Sequence, residues 1–230
     1  MNKKLLALAV VAAIPATAAA NPTLYGKVNV TLDSSSVEFA ADTYGAVRDQ
    51  WELNSNASRL GVRGKYDLDN GMKAIYQAEY EIKVDDGAGP FGQRNIFAGL
   101  EGGFGTLKAG RFDDPVKLSE GKVDQFNDLA GDIDSFVAGQ NRPSNIIEYT
   151  SPKFADAFTL KVATILAEGT NVDGAAGVED GLFDNPQVSL AYDKDGLYVA
   201  LAYGADTAMA TNTVDGFTRG DIMRLVGTYK

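Results

Sequence analysis

Apolar and polar side chains alternate along segments of about ten residues, and the alternation continues from Leu24 to the end of the chain. The segment 59–66 is the clearest example: one face carries Leu60, Val62 and Tyr66, and the other carries Arg59, Arg63 and Lys65. Successive side chains of a β-strand point to opposite faces. The pattern therefore predicts strands with one apolar face and one charged face.

The same reading predicts ten strands, at 23–32, 51–67, 71–84, 92–101, 105–112, 143–151, 157–167, 186–193, 196–204 and 221–230. Short turns rich in Gly, Asp, Asn and Pro lie at 67–71, 101–104, 151–156 and 193–196. Long connections lie at 33–50, 85–91, 112–142, 167–185 and 205–220. From the second strand onward the two kinds alternate, as in a membrane-spanning β-barrel, whose turns are short on one side and long on the other.

The N-terminus has the features of a secretory signal peptide. A basic start at Met1–Lys4 precedes an unbroken apolar run from Leu5 to Ile14, Pro15 ends the run, and Ala18–Ala20 provides small residues for cleavage. We therefore expect a signal peptide at 1–20 and one β-domain at 21–230. No later apolar run reaches the roughly 18 residues of a transmembrane helix. An exported chain that crosses a membrane without helices must do so as a closed barrel.

The composition excludes several functions. The net charge of −10 argues against nucleic acid as a partner, because phosphate binding needs clustered cationic residues. The chain contains no cysteine and no histidine. It therefore has no disulfide, no thiolate metal site, no Ser-His-Asp triad and none of the common zinc ligands except carboxylates. We expect no enzymatic activity, no cofactor and no metal. A soluble periplasmic β-sandwich that binds a ligand remains an alternative.

Several motifs in a fixed order resemble Gram-negative general porins of the proteobacterial type. Each motif alone is weak, but the order and spacing together are specific, and the resemblance covers essentially the whole chain. The segments that carry it are Leu24–Val28, Ser58–Gly64, Asn70–Ala74, Arg94–Leu100, Phe104–Arg111 and Asn145–Pro152.

The resemblance implies an all-β fold, a transmembrane antiparallel up-and-down β-barrel of sixteen strands, of which about ten are present here. Family members end in an aromatic residue, whereas this sequence ends Thr228-Tyr229-Lys230. We therefore expect the C-terminal part to be missing. The resemblance also implies a homotrimer in the outer membrane, in contact with lipid and lipopolysaccharide. Its function would be passive diffusion of small hydrophilic solutes and ions; a channel specific for one solute is a further alternative.

In this family a long loop folds into the barrel and faces basic side chains on its wall. The connection 112–142 matches that loop, and its acidic residues are Asp113, Asp114, Glu120, Asp124, Asp128, Asp132 and Asp134. The matching basic residues are Arg59, Arg94 and Arg142, and Arg63 is placed with them because it shares the strand face of Arg59. A charged side chain facing lipid costs about 2–4 kcal/mol at the bilayer midplane, so strand arginines are expected to face the lumen. Further lumen charges are predicted at Lys27, Lys65, Glu79 and Glu81.

Overall fold

The computed structural model describes residues 22–38, 47–87, 89, 91–166, 181–183, 185–209 and 218–230. The predicted signal peptide lies outside these ranges, as does most of the predicted connection 167–185. The strands within them are β1 (Thr23–Lys27), β2 (Val30–Glu38), β3 (Val47–Ser55), β4 (Arg59–Asp67), β5 (Lys73–Glu81), β6 (Gly92–Gly102), β7 (Gly105–Arg111), β8 (Ile146–Thr150), β9 (Phe158–Ile165), β10 (Asn185–Lys194), β11 (Leu197–Met209) and β12 (Thr218–Tyr229). One short α-helix, α1 (Pro115–Leu118), lies in the connection between β7 and β8.

Ten of these strands form one antiparallel sheet with the order β1-β4-β5-β6-β7-β8-β9-β10-β11-β12. From β4 onward each strand pairs with the next one in the chain, which is the up-and-down order predicted from the alternating connections. β1 and β12 form the two edges of this sheet, and β2 and β3 pair only with each other. Among the described residues, no helix is long and apolar enough to cross a membrane.

The two predicted strands 23–32 and 51–67 are each divided in two, which corrects the sequence interpretation. The division is made by Ser58, a buried residue whose hydroxyl accepts the N–H of Asn29 at 2.9 Å and donates to its carbonyl at 3.1 Å. Ala57 just before it has a φ of 48°. A side chain thus replaces the regular backbone ladder here. The predicted connection 33–50 was also too long, because β2 continues to Glu38 and β3 begins at Val47.

The polar side chains of the sheet are buried and the apolar side chains are exposed, which is the reverse of the arrangement in a soluble protein. On β10, the side chain of Gln187 is 1% exposed, whereas that of Leu190, on the opposite face of the strand, is 41% exposed. On β12, Arg224 is buried while its neighbours Met223 and Leu225 are 78% and 75% exposed. These polar and apolar faces are the ones that the alternation predicts. A β-sandwich would bury the apolar face against a second sheet, and the described residues contain no such second layer.

The polar inner face is covered by the long connection between β7 and β8. Phe112, the residue that follows β7, is buried with Ile146 and Ala163, and Phe97 and Ile165 pack against this cluster. The ring of Phe97 meets the ring of Phe112 edge-on, with centroids 5.7 Å apart. This small apolar cluster anchors the beginning of the connection to β6, β8 and β9. It therefore directs the residues after Phe112 across the inner face.

Candidate functional site: a cavity between a long loop and the strand wall

The first part of the loop is a short helix whose N-terminus is capped by the buried side chain of Asp114. The Asp114 carboxylate accepts the N–H of Lys117 at 2.8 Å, and Pro115 occupies the first helical position, where its missing N–H costs nothing. The same carboxylate accepts a hydrogen bond from Gln187 on β10 at 3.0 Å. Asp114 is completely buried, and burial raises its pKa to about 6.

Two further strands hold this part of the loop against the sheet. The hydroxyl of Tyr198 on β11 donates to the carbonyl of Ser119 at 2.9 Å. The guanidinium of Arg224 on β12 donates to the carbonyls of Val116 at 3.0 Å and Ala138 at 2.6 Å. Arg224 also lies 3.6 Å from the carboxylate of Glu120, whose pKa is raised by burial. We call the loop segment 114–121 the loop base.

The far part of the loop crosses to the opposite side of the sheet. Asp128 lies at its tip with a φ of 66°, and its carboxylate contacts Lys27 on β1 at 3.0 Å and Arg59 on β4 at 3.4 Å. The tip is shaped by Asp132, whose carboxylate accepts the backbone N–H groups of Asp128 at 2.7 Å and Asp134 at 2.9 Å. The loop therefore spans from β10–β12 to β1 and β4, and is held at both ends.

Between the loop and strands β4–β6 lies a cavity of about 1370 Å³, which we call the loop cavity. Three of the four predicted arginines and six of the seven predicted loop acids line it. These residues are Arg59, Arg94, Arg142, Asp113, Glu120, Asp124, Asp128, Asp132 and Asp134. Tyr25, Glu79, Glu81, Asn95 and Lys117 line it as well. The loop contributes mainly acids to this space, and the strand wall contributes both guanidinium groups and carboxylates. Fixed charges of this kind around a polar space are suited to act on passing solutes.

The arginines that line the loop cavity are each paired with acids. Arg94 contacts Glu79 at 2.8 Å and Glu81 at 3.6 Å. Arg142 contacts Asp113 at 3.0 Å and donates to the side-chain oxygen of Asn95 at 2.9 Å. The planar guanidinium suits such contacts because it donates in a fixed fork and stays charged.

Four predicted site residues do not line the loop cavity: Lys27, Arg63, Lys65 and Asp114. Lys27 contacts Asp128 at the tip of the loop. Asp114 is buried in the loop base, as described above. Arg63 lies over the ring of Tyr25, with its guanidinium carbon 5.1 Å from the centroid, and within the described part of the chain it forms no hydrogen bond or ion pair with the loop. Lys65 pairs with Glu101 at 2.7 Å, toward the short turns at the other end of the strands. The structure thus separates the predicted charges into a group at the loop and a group away from it.

Sequence reasoning missed the residues that hold the loop base, namely Gln187, Tyr198 and Arg224. The alternation places Arg224 on the polar face of the last strand, but it does not reveal contacts with residues 86 and 108 positions earlier. It also missed a buried cluster in which Glu148 contacts Lys108 at 3.2 Å and Lys161 at 3.5 Å. Lys108 lies 3.9 Å from the ring centroid of Phe112, so this cluster supports the beginning of the loop.

Curated relatives of this chain are outer-membrane proteins of Neisseria. It is 33% identical over 161 residues to the major outer membrane protein P.IB of Neisseria gonorrhoeae, an alignment that covers 67% of this chain and 46% of that protein. It is 32% identical over 178 residues to the major outer membrane protein P.IA of Neisseria meningitidis serogroup B, covering 67% and 45%. The chain spans less than half the length of these relatives.

Solved porin structures share the fold. The anion-selective porin from Comamonas acidovorans matches with a TM-score of 0.68 and 26% identity, over 91% of this chain and 64% of that one. OmpF of Salmonella typhi matches with a TM-score of 0.61 and 19% identity, over 90% and 61%. These are transmembrane β-barrels, which agrees with the predicted fold class. A family model described as Gram-negative porin matches residues 6–230, and the chain therefore belongs to the Gram-negative porin family.

Proposed function

We propose that this protein is an outer-membrane porin through which small hydrophilic solutes and ions diffuse passively. The observation that carries the proposal is the loop cavity, a polar space of about 1370 Å³ on the inner face of a sheet whose outer face is apolar. The long loop narrows this space without filling it. The names of the Neisseria relatives place those proteins in the outer membrane, and we infer the same location here.

No reaction is proposed, since the sequence contains no histidine or cysteine, and the cavity carboxylates of Glu79, Asp113 and Asp132 are engaged in ion pairs with arginines or in hydrogen bonds to the loop backbone. Among the described residues, no group of three or more His, Cys, Asp or Glu is arranged to hold a metal. The carboxylates therefore act as fixed charges that attract or repel passing ions. We keep the homotrimer and the contact with lipopolysaccharide as proposals that rest on the family.

The cavity also favours a direction of ion selectivity. The Comamonas neighbour is anion-selective by its name. Here each arginine of the loop cavity faces a carboxylate, whereas Asp124, Asp132 and Asp134 have no basic partner among the described residues. The uncompensated charge is negative. We infer a weak preference for cations.

The test of the proposed function is a planar-bilayer recording with the protein purified from outer membranes. We expect stepwise current increases that need no added ligand, and swelling of protein-loaded liposomes that slows as the osmolyte becomes larger. A general diffusion pore gives rates ordered by solute size alone. A single favoured solute would instead establish a specific channel. A protein that stays soluble without detergent and gives no current steps would contradict the porin proposal.

A further inference from the structure

We propose that Arg224 is a positioning residue of the channel, which fixes the loop base to the strand wall and thereby sets the width of the loop cavity. This inference rests on the proposed function. The key contact is a fork: one guanidinium nitrogen donates to the carbonyl of Val116 and another to the carbonyl of Ala138. These two carbonyls belong to the beginning and the end of the loop. A single side chain therefore joins the two arms of the loop to each other and to β12.

Small residues around Arg224 allow the loop base to lie close to the strand wall. The strand residues beneath the loop base are small: Ala202 pairs with Arg224 across the ladder, and Ala200 and Gly204 lie on the same face. Ala200 and Ala202 are buried, and a Cβ at Gly204 would lie 3.0 Å from a methyl carbon of Val116. Gly139 has a φ of 85°, and a Cβ there would lie 3.3 Å from the Arg224 guanidinium. Larger residues at these positions would push the loop away from the wall, unless a covalent bond joins them to the loop.

The two ends of the loop are held with different strength. Arg224 is 9% exposed, so its hydrogen bonds and its 3.6 Å contact with Glu120 are shielded from salt. At the tip, the Lys27 and Arg59 side chains that contact Asp128 are 40% and 25% exposed, so water and salt weaken these pairs more than the contacts of Arg224. The loop base is therefore the fixed end of the loop. The tip contact can break without releasing the loop as a whole.

Arginine is required at this position for a geometric reason. Two nitrogens of the planar guanidinium donate hydrogen bonds to two carbonyls at the same time. The single ammonium group of lysine does not reproduce this geometry. Arg224→Lys keeps the charge opposite Glu120 but loses the fork. Arg224→Gln loses both the charge and the fork. Comparing these two variants separates the role of the fork from the role of the charge. Arg63→Gln serves as a control, because Arg63 lies on the same face of the sheet and does not touch the loop within the described part of the chain.

The experiment compares single-channel currents of the complete protein and these three variants in planar bilayers. We expect both Arg224 variants to show a broader distribution of conductance and more open-channel noise, and Arg63→Gln to keep the original distribution. Hydrogen exchange of the Leu118 and Ser119 amides, which donate to Asp114 and Pro115 in α1, should become about tenfold faster in both Arg224 variants. Exchange in β9 and β10 should not change.

A crosslink distinguishes loop positioning from general destabilisation. The chain has no cysteine, so Val116→Cys with Gly204→Cys introduces the only possible disulfide, and Thr207→Ala accompanies the pair because the Thr207 hydroxyl would lie 2.6 Å from the new Cβ at position 204. That Cβ would lie 3.0 Å from the methyl carbon of Val116 whose place a cysteine sulfur can take, and a Cβ lies about 3 Å from the partner sulfur in a disulfide. In the Arg224→Gln background, the oxidised pair should restore the narrow conductance distribution, and a reductant should remove it again. Narrow conductance in both Arg224 variants, or no recovery on oxidation, would overturn the positioning role. Absence of channels in the unmodified protein would instead contradict the proposed function itself.

Discussion

At the scale of single residues, Asp114 shows how a buried acid adapts to its site. Burial raises its pKa from 3.8 to about 6. The folded state therefore binds the proton more tightly than the unfolded chain between these pH values, so the stability contributed at this site falls as pH rises from about 4 to 6. The cost of the ionised form above pH 6 is on the order of 3 kcal/mol.

We predict that Asp114→Asn removes this pH-dependent loss. The amide oxygen can still accept the Lys117 N–H. Its NH₂ group replaces the oxygen that accepts from the Gln187 NH₂ group, so the Gln187 amide must turn over and accept with its own oxygen, which is buried without a partner in the wild-type protein. The difference in unfolding temperature between variant and wild type, measured by circular dichroism, should grow in favour of the variant from pH 4 to pH 7. A difference that does not vary with pH would contradict the assignment.

Gly61 is a second residue with a defined steric role. It pairs with Tyr25 across β1 and β4, and a Cβ at Gly61 would lie 2.6 Å from the Tyr25 ring. Gly61→Ala must displace that ring and disturb its hydrogen bond to Glu79, so we predict a loss of about 1–3 kcal/mol of unfolding free energy. Gly103→Ala is the matched control, since nothing lies within 4 Å of its added carbon. Urea denaturation of both variants measures the difference, and equal midpoints would contradict it.

At the scale of elements, the long loop behaves as a strip held at a fixed base and at a weaker tip. We predict that Asp128→Asn releases the tip, because it removes the contacts with Lys27 and Arg59 together. Open-channel noise at low salt should rise toward the level that the wild type shows at high salt, where screening already weakens the tip. Asp124→Asn is the control, since Asp124 only accepts a backbone N–H from Phe126. Equal noise in the two variants would contradict a tip contact.

The sequence predicted most of these elements because strand alternation is a local property. The polar and apolar faces of β10 and β12, and the up-and-down order, follow from neighbouring residues alone. The breaks after β1 and before β4 could not be predicted, because they depend on one hydroxyl, Ser58, that meets Asn29 across 29 positions. A local pattern contains no information on which distant backbone group a serine will reach.

At the scale of the whole molecule, the same limit applies to the site. The sign of the loop charges and their positions in the chain could be predicted from the sequence and the family motifs. In the structure, six of the seven predicted loop acids line one cavity. Asp114 departed from that expectation because its neighbour Pro115 starts a helix, which turns the preceding carboxylate into a cap. Arg224 was not identified because its role depends on the loop folding back across the sheet, which only the assembled structure displays.

The ion selectivity of the channel is the property that depends on the molecule as a whole. Four aspartates that line the loop cavity have no basic partner among the described residues, and they leave it negative: Asp33, Asp124, Asp132 and Asp134. A potential of about one kT in such a cavity enriches monovalent cations roughly threefold over bulk and depletes anions by the same factor, a ratio of about seven. The reversal potential in a KCl gradient near 0.1 M, where the Debye length is about 10 Å, should therefore show a cation preference.

Replacing Asp124, Asp132 and Asp134 by asparagine should shift the reversal potential toward zero, because Asp33 is then the one acid lining the cavity that has no basic partner among the described residues. Asp156→Asn, in the exposed turn between β8 and β9, should leave it unchanged, since that turn lies at the opposite ends of the strands from the loop. Anion preference in the wild type would show that the paired arginines dominate the field despite their partners. An unchanged potential in the triple variant would move the selectivity to charges outside the loop cavity.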